Sequence, residues 1–258
     1  MKVTLITGAT GGLGKAFCSL YASDGENLVL CATNQDKLDA LKSELEEKFP
    51  SIVIDTIIAD LSNQEQIFQV CQQVHERGYV VTRLINNAGF GDRCDFDQMD
   101  VDTQIKMITV NCTAPTVLTR AFIDDMKNNG GGHVINVASI ASFVPGPYMC
   151  TYHSTKSYLL NFSEAIAVEL KKFNIKVLAL CPGPFTSGFV ARAGNDYTFE
   201  KIKPISAEKV ALIGYNASKK GKAVQVVGFA NKLTVFAPRF VSRSFVAKTS
   251  AKTLKKGV

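Results

Sequence analysis

The feature that most constrains this chain is its alternation of short β-branched apolar runs with windows of helical period. Residues 3–7, 28–32, 52–59, 84–86, 133–138, 176–181 and 223–227 are predicted as strands, and 14–23, 36–49, 64–77, about 100–127, 152–173 and 207–218 as helices. In 36–49, Leu38, Leu41, Leu45 and Phe49 share one helical face and Pro50 ends the run. Strands apolar on both faces that alternate with helices require a parallel sheet covered on both sides. The sequence has no internal repeat, low-complexity segment or linker. It therefore predicts a single-domain, Rossmann-like, doubly wound α/β fold of about seven strands, with its ligand at the carboxyl ends of the strands. The domain is expected to occupy 1–231, with 232–258 as a basic amphipathic tail of the same domain.

Composition narrows the function. A chain of 258 residues, 46% hydrophobic and 20% charged, is ordinary for a globular protein, and no window approaches a membrane span. The first strand begins almost at once, so no signal peptide is expected. Cysteines 18, 31, 71, 94, 112, 150 and 181 form no C-x-x-C pair and sit mostly in apolar runs. They read as reduced core thiols, so a cytoplasmic location is expected and no metal site is assigned. From Lys232 onward there are seven basic residues and no acidic one, while the rest carries 22 basic against 23 acidic residues. The net charge of +6 is thus a property of the tail and argues against nucleic-acid binding.

The stretch TLITGATGGLGKAF, residues 4–17, joins the first strand to the first helix. Glycines there permit positive φ and close backbone approach, and a helix N-terminus offers unpaired N–H groups to an anion. The Walker pattern fails at Ala9 and Ala16, and a G-x-G-x-x-[GA] pattern begun at Gly12 fails at Phe17. What remains is T-G-x-x-x-G-x-G, from Thr7, Gly8, Gly12 and Gly14. Alone, this spacing also fits a plain strand-to-helix turn.

Further motifs follow in order: AD at 59–60, NNAG at 86–89, Ser139 in NVASIAS, YHSTK at 152–156 and CPGPF at 181–185. Together with TGATGGLG they make the chain resemble the short-chain dehydrogenase/reductase family, in its compact form of about 250 residues, over essentially its whole length. YHSTKSYLLNFSEAIAVELK and the later VVGFANKL are most similar to a branch of broad-specificity, acyl- and lipid-type ketone reductases. The resemblance implies a nicotinamide cofactor held by Thr7, Gly8, Thr10, Gly12, Leu13 and Gly14, with Thr33 and Asn34 after the second strand. It further implies Asp60 and Leu61 at the adenine, Asn87, Ala88 and Gly89 along the cleft and supporting the adjacent strand, and Pro182, Gly183 and Ser187 near the nicotinamide. Asp60 could equally cap the next turn. By the same resemblance Ser139 holds the substrate oxygen, Asn111 anchors a proton-relaying water, and Lys156 binds the ribose hydroxyls.

Reducing a carbonyl delivers hydride to carbon while the oxygen needs a proton. Tyr152 can supply it, but a free phenol has a pKa of about 10. Lys156, four residues later on one helical face, is expected to lower that value. An acid after the second strand would bind a ribose 2′-hydroxyl and repel a 2′-phosphate. The sequence has Ala32, Thr33 and Asn34 there, which favours NADP(H) and leaves NAD(H) open. Many phosphate-using relatives carry Arg at the place of Thr33; the local cations here are Lys15 and Lys37.

Residues 184–205 are expected to form a lid, with Phe185, Phe189, Tyr197 and Phe199 facing Phe143, Val144, Pro147 and Tyr148 across an apolar cleft. That cleft suits a small hydrophobic ketone or aldehyde, or the matching alcohol. Phe236, Phe240 and Phe245 in the tail are expected to pack on the body or a sister subunit, although a basic amphipathic segment also suits an anionic membrane surface or an acidic carrier protein. The leading expectation is an NADP(H)-dependent carbonyl reductase, assembled as a homodimer or homotetramer. The alternatives are a non-catalytic NADP(H)-binding regulator or scaffold, and a membrane- or acyl-carrier-docked 3-oxoacyl reductase.

Overall fold

The computed structural model describes residues 1–185 and 205–255. Strands β1 (Lys2–Thr7), β2 (Leu28–Ala32), β3 (Ile54–Ile58), β4 (Val80–Asn86), β5 (Gly132–Val137), β6 (Ile175–Cys181) and β7 (Val224–Val226) form one parallel sheet in the order β3-β2-β1-β4-β5-β6-β7. The winding direction reverses between β1 and β4, which opens a crevice at their carboxyl ends. Alternate strand residues face opposite layers. Ile6, Leu30, Ile85, Ile135 and Leu178 pack on α1 (Gly12–Ser23), α2 (Gln35–Lys48) and α7 (Ala207–Lys219). Leu5, Val29, Leu84, Val134 and Val177 pack on α3 (Gln64–Glu76), α5 (Ala114–Asn128) and α6 (Cys150–Leu170). These two apolar layers position the sheet edge on which the functional groups stand.

Two elements differ from the sequence reading. β4 begins at Val80 rather than 84, because polar Thr82 and Arg83 interrupt its apolar pattern. In the fold Thr82 is buried and Arg83 pairs with Glu26 at 2.7 Å. The long helix expected over 100–127 divides into α4 (Val101–Ile108), one π turn at Thr109–Thr113, and α5. Beyond β7 lie α8 (Phe229–Phe236), a short 3₁₀ turn and α9 (Arg243–Leu254). Among the described residues no helix is long and apolar enough to cross a membrane.

Candidate active site

The glycine turn is built for close approach. Gly8 has φ +62°, and a Cβ there would lie 3.0 Å from Ala88 Cα. A Cβ on Gly14 would meet Gly8 O at 2.2 Å, so any side chain would push α1 off β1. Thr7 stands behind the turn, 1% exposed, rather than in the cleft. Its hydroxyl donates to Ile85 O at 3.3 Å and accepts from the N–H groups of Asn87 and Ala88 at 3.0 Å each. Asn87 returns the support, donating to Thr7 O at 2.9 Å and Gly8 O at 3.1 Å. NNAG therefore holds the glycine turn from the neighbouring strand. Helix α1 starts at Gly11 with no side-chain cap and no acid in its first turn. Its first-turn N–H groups face a cleft of about 840 Å³. An uncapped, acid-free helix start at the switch point fits a dinucleotide phosphate.

At the other end of the cleft Ser139 follows β5 and Tyr152 and Lys156 stand on α6. The Ser139 hydroxyl caps the 3₁₀ turn Ile140–Phe143, accepting from Ala141 N at 3.1 Å. Burial pushes the Tyr152 phenol up to about 12, and its hydrogen bond with Ser139 acts in the opposite direction. The expected lowering by Lys156 is absent: its ammonium lies 5.8 Å from the ring centroid, and desolvation wins. Lys156 donates to Val137 O at 2.8 Å. Burial pulls its amine down to about 8, against the opposing influence of the Cys112 and Cys181 thiols.

Asn111 occupies the π turn, and its side chain is taken up by protein rather than turned into the cleft. It donates to Phe90 O and Thr155 Oγ1, both at 3.0 Å, and accepts from Phe90 N at 3.2 Å. Thr155 in turn donates to Tyr152 O at 2.8 Å. Gly89 is squeezed between these groups: a Cβ there would lie 3.0 Å from Asn111 Oδ1 and 3.2 Å from Lys156 Nζ.

Among the remaining expected residues, Thr10, Gly12, Leu13, Gly14, Thr33, Asp60, Leu61, Ala88, Gly89, Pro182 and Gly183 line the cleft. Asp60 also caps its turn, accepting from Ser62 N at 2.9 Å. Asn34 lies outside the cleft; it caps α2 by accepting from Lys37 N at 2.8 Å. Lys15 and Lys37 are exposed and likewise outside the lining, as are Phe143, Pro147 and Tyr148, whereas Val144 and Phe185 are within it. Ser187, Phe189, Tyr197 and Phe199 lie outside the described residues.

Three contributors had no role in the sequence reading. His153 is buried against Tyr152 (ring centroids 6.0 Å apart) and bonds Val144 O at 2.8 Å. Burial lowers its pKa, and its bond to Val144 clamps the wall of the cleft. Beneath the site, Asn86 donates to Asn136 Oδ1 at 2.8 Å, and Asn136 to Ser163 Oγ at 2.8 Å. This buried chain ties β4, β5 and α6 together. Finally, Asn231, Thr234, Val235, Thr253 and Leu254 line the cleft, and Leu254 packs on the cluster of Met107, Ala141, Met149 and Tyr152. The tyrosine, the asparagine and the YHSTK spacing were visible signals; the tail was expected to reach the body through Phe236, Phe240 and Phe245, and nothing singled out Val235 and Leu254.

Residues 2–198 match the family model described as short chain dehydrogenase. A very-long-chain 3-oxoacyl-CoA reductase-like protein of Arabidopsis thaliana is 33% identical over 182 residues, 69% of this chain. The chain spans 58% of that relative's length. Among solved structures, a short-chain dehydrogenase from Sphingobium yanoikuyae in complex with NADPH is 26% identical with TM-score 0.83, covering 93% of this chain and 94% of that one. A bulky-bulky ketone specific alcohol dehydrogenase from Comamonas testosteroni is 26% identical with TM-score 0.79, covering 93% and 92%.

Proposed function

The chain belongs to the short chain dehydrogenase family, and from that premise we propose that it is an NAD(P)-dependent oxidoreductase that reduces a hydrophobic ketone or aldehyde with NADPH, Tyr152 giving the proton. One observation carries this reading. A single cleft runs from the uncapped start of α1 to the paired hydroxyls of Ser139 and Tyr152, with Lys156 beside them.

NADPH, when bound, supplies the hydride that adds to the carbonyl carbon. Ser139 Oγ donates a hydrogen bond to the carbonyl oxygen and aligns it with Tyr152. The Tyr152 O–H bond breaks as its proton passes to that oxygen, leaving alcohol and phenolate. The Lys156 ammonium stabilises the phenolate until solvent returns a proton. Burial favours this direction, because it keeps Tyr152 a phenol at neutral pH. Thr10, Gly12, Leu13 and Gly14 take the pyrophosphate end, Asp60 and Leu61 the adenine, and Pro182 and Gly183 the nicotinamide. Asn111 positions Phe90 and, through Thr155, the turn of α6 that carries Tyr152, rather than touching substrate. The same reaction run backward oxidises the alcohol.

Preference for NADP(H) is supported by the end of β2, where Thr33 lines the cleft and no carboxylate stands at 32–34. A hydrophobic substrate is supported by Met149, Val144, Phe185 and Leu254 in the wall. The plant relative's name supports the acyl form of the reading, and the Comamonas enzyme's supports bulky ketones. Unpaired cysteines throughout the described residues support a reducing compartment such as the cytoplasm. A homodimer or homotetramer completes the proposal, with 232–258 as part of the same domain.

The test is consumption of NADPH and of NADH across acyl, steroid and aromatic ketones. NADPH is expected to give kcat/KM at least about tenfold higher, or 1.4 kcal/mol. Preference for NADH would overturn the cofactor assignment. Tight NADPH binding with no turnover of any carbonyl would favour the regulator.

A further inference from the structure

No residue from 228 to 255 is buried, although this segment includes two helices. Phe229, Leu233, Phe236 and Phe240 follow helical spacing and are 76%, 56%, 51% and 74% exposed. Phe245, 59% exposed, begins a second helical stripe continued by Lys248, Lys252 and Lys255, all exposed. The expected packing of these phenylalanines on the body is therefore not found. Phe236 and Phe240 meet edge to face at 5.2 Å, and the Arg239 guanidinium sits 5.6 Å from the Phe236 centroid. Lys232 and Arg243 complete the cationic set, and no acid occurs from 232 to 258.

Large exposed apolar side chains at this density mark an interaction surface. The charge selects the occupant. A two-fold contact with a second copy would oppose this segment to itself and bring like charges together. An anionic bilayer surface accepts both components at once: phenylalanine rings enter the headgroup boundary while lysine and arginine pair with lipid phosphate and carboxylate.

We propose that α8 and α9 dock this protein on an anionic lipid surface through Phe236, Phe240 and Phe245 with Arg239, Arg243 and Lys248. The inner faces of the same helices carry Val235 and Leu254 into the substrate cleft. Docking thus sets the mouth of the cleft beside the lipid, where an apolar carbonyl compound would be dissolved. The docking goes beyond the reductase reading and requires no turnover.

The experiment is co-sedimentation of the full chain with phosphatidylcholine vesicles, with and without about a third phosphatidylserine. Binding to the anionic vesicles is expected to be at least about tenfold tighter and to weaken in high salt. Arg239→Glu/Arg243→Glu/Lys248→Glu and Phe236→Ser/Phe240→Ser should each cost about tenfold or more in vesicle affinity. Both variants should retain the wild-type NADPH affinity, which shows that they fold. Equal partitioning into both vesicle types, no partitioning into either, or unchanged binding by both variants would overturn the proposal. So would light scattering showing a wild-type oligomer that Phe236→Ser/Phe240→Ser dissociates, because the surface would then be covered by a second copy. A reductase that turns over normally yet ignores vesicles would refute the docking alone.

Discussion

At the scale of single residues, the site combines a phenol and an amine whose burial shifts them in opposite directions. Tyr152 rises to about 12 and Lys156 falls to about 8. Both shifts suppress charge, as desolvation demands. Tyr152 therefore holds its proton throughout the neutral range. Lys156 carries its charge below about 8 and loses it above. If the ammonium stabilises the phenolate formed in reduction, kcat should be level below pH 8 and fall about tenfold per unit above it. A kcat for reduction that stays constant to about pH 10 would show that the Lys156 charge plays no part. The pairing itself was legible, since Tyr152 and Lys156 lie four apart on a helix. The direction of the tyrosine shift was not, because it depends on how deeply α6 is buried.

At the scale of elements, the alternating pattern marked the inner strands of the sheet most clearly, because they are covered on both faces, whereas the edge strands β3 and β7 are only partly buried. Residue 28–32 is an example: every position of β2 is buried. The break between α4 and α5 was hidden, since a π turn changes one hydrogen-bond offset without altering the apolar period much. Asn111 looked like a functional residue in the sequence, but its part in joining the turn to Phe90 and Thr155 spans 21 and 44 residues. Asn111→Ala would leave three polar groups without this partner. It is expected to lower unfolding free energy by about 1–3 kcal/mol in denaturant titration. It should also reduce kcat, because Thr155, which bonds the Tyr152 carbonyl, would lose its amide partner. Wild-type stability and kcat in this variant would contradict the positioning role.

At the scale of the whole molecule, the sheet brings together groups that the sequence keeps far apart. Thr7 meets Asn87 and Ala88 from about eighty positions away, and Leu254 returns to the cluster that contains Tyr152. The first contact was legible only as two motifs, TGATGGLG and NNAG; the bonds by which Asn87 and Ala88 hold Thr7 and Gly8 were not. The second was not legible residue by residue: the expected anchors were Phe236, Phe240 and Phe245, and a basic tail gives no register that would single out Leu254. The glycine turn, the hydroxyl pair and the lysine nonetheless occupy one cleft. Reduction of a carbonyl by proton transfer from Tyr152 is the central claim, and Tyr152→Phe tests it most directly. With a ketone that the wild-type protein accepts, NADPH oxidation should fall by about 10²–10⁴-fold while NADPH affinity is unchanged. Wild-type turnover by Tyr152→Phe would contradict the assignment.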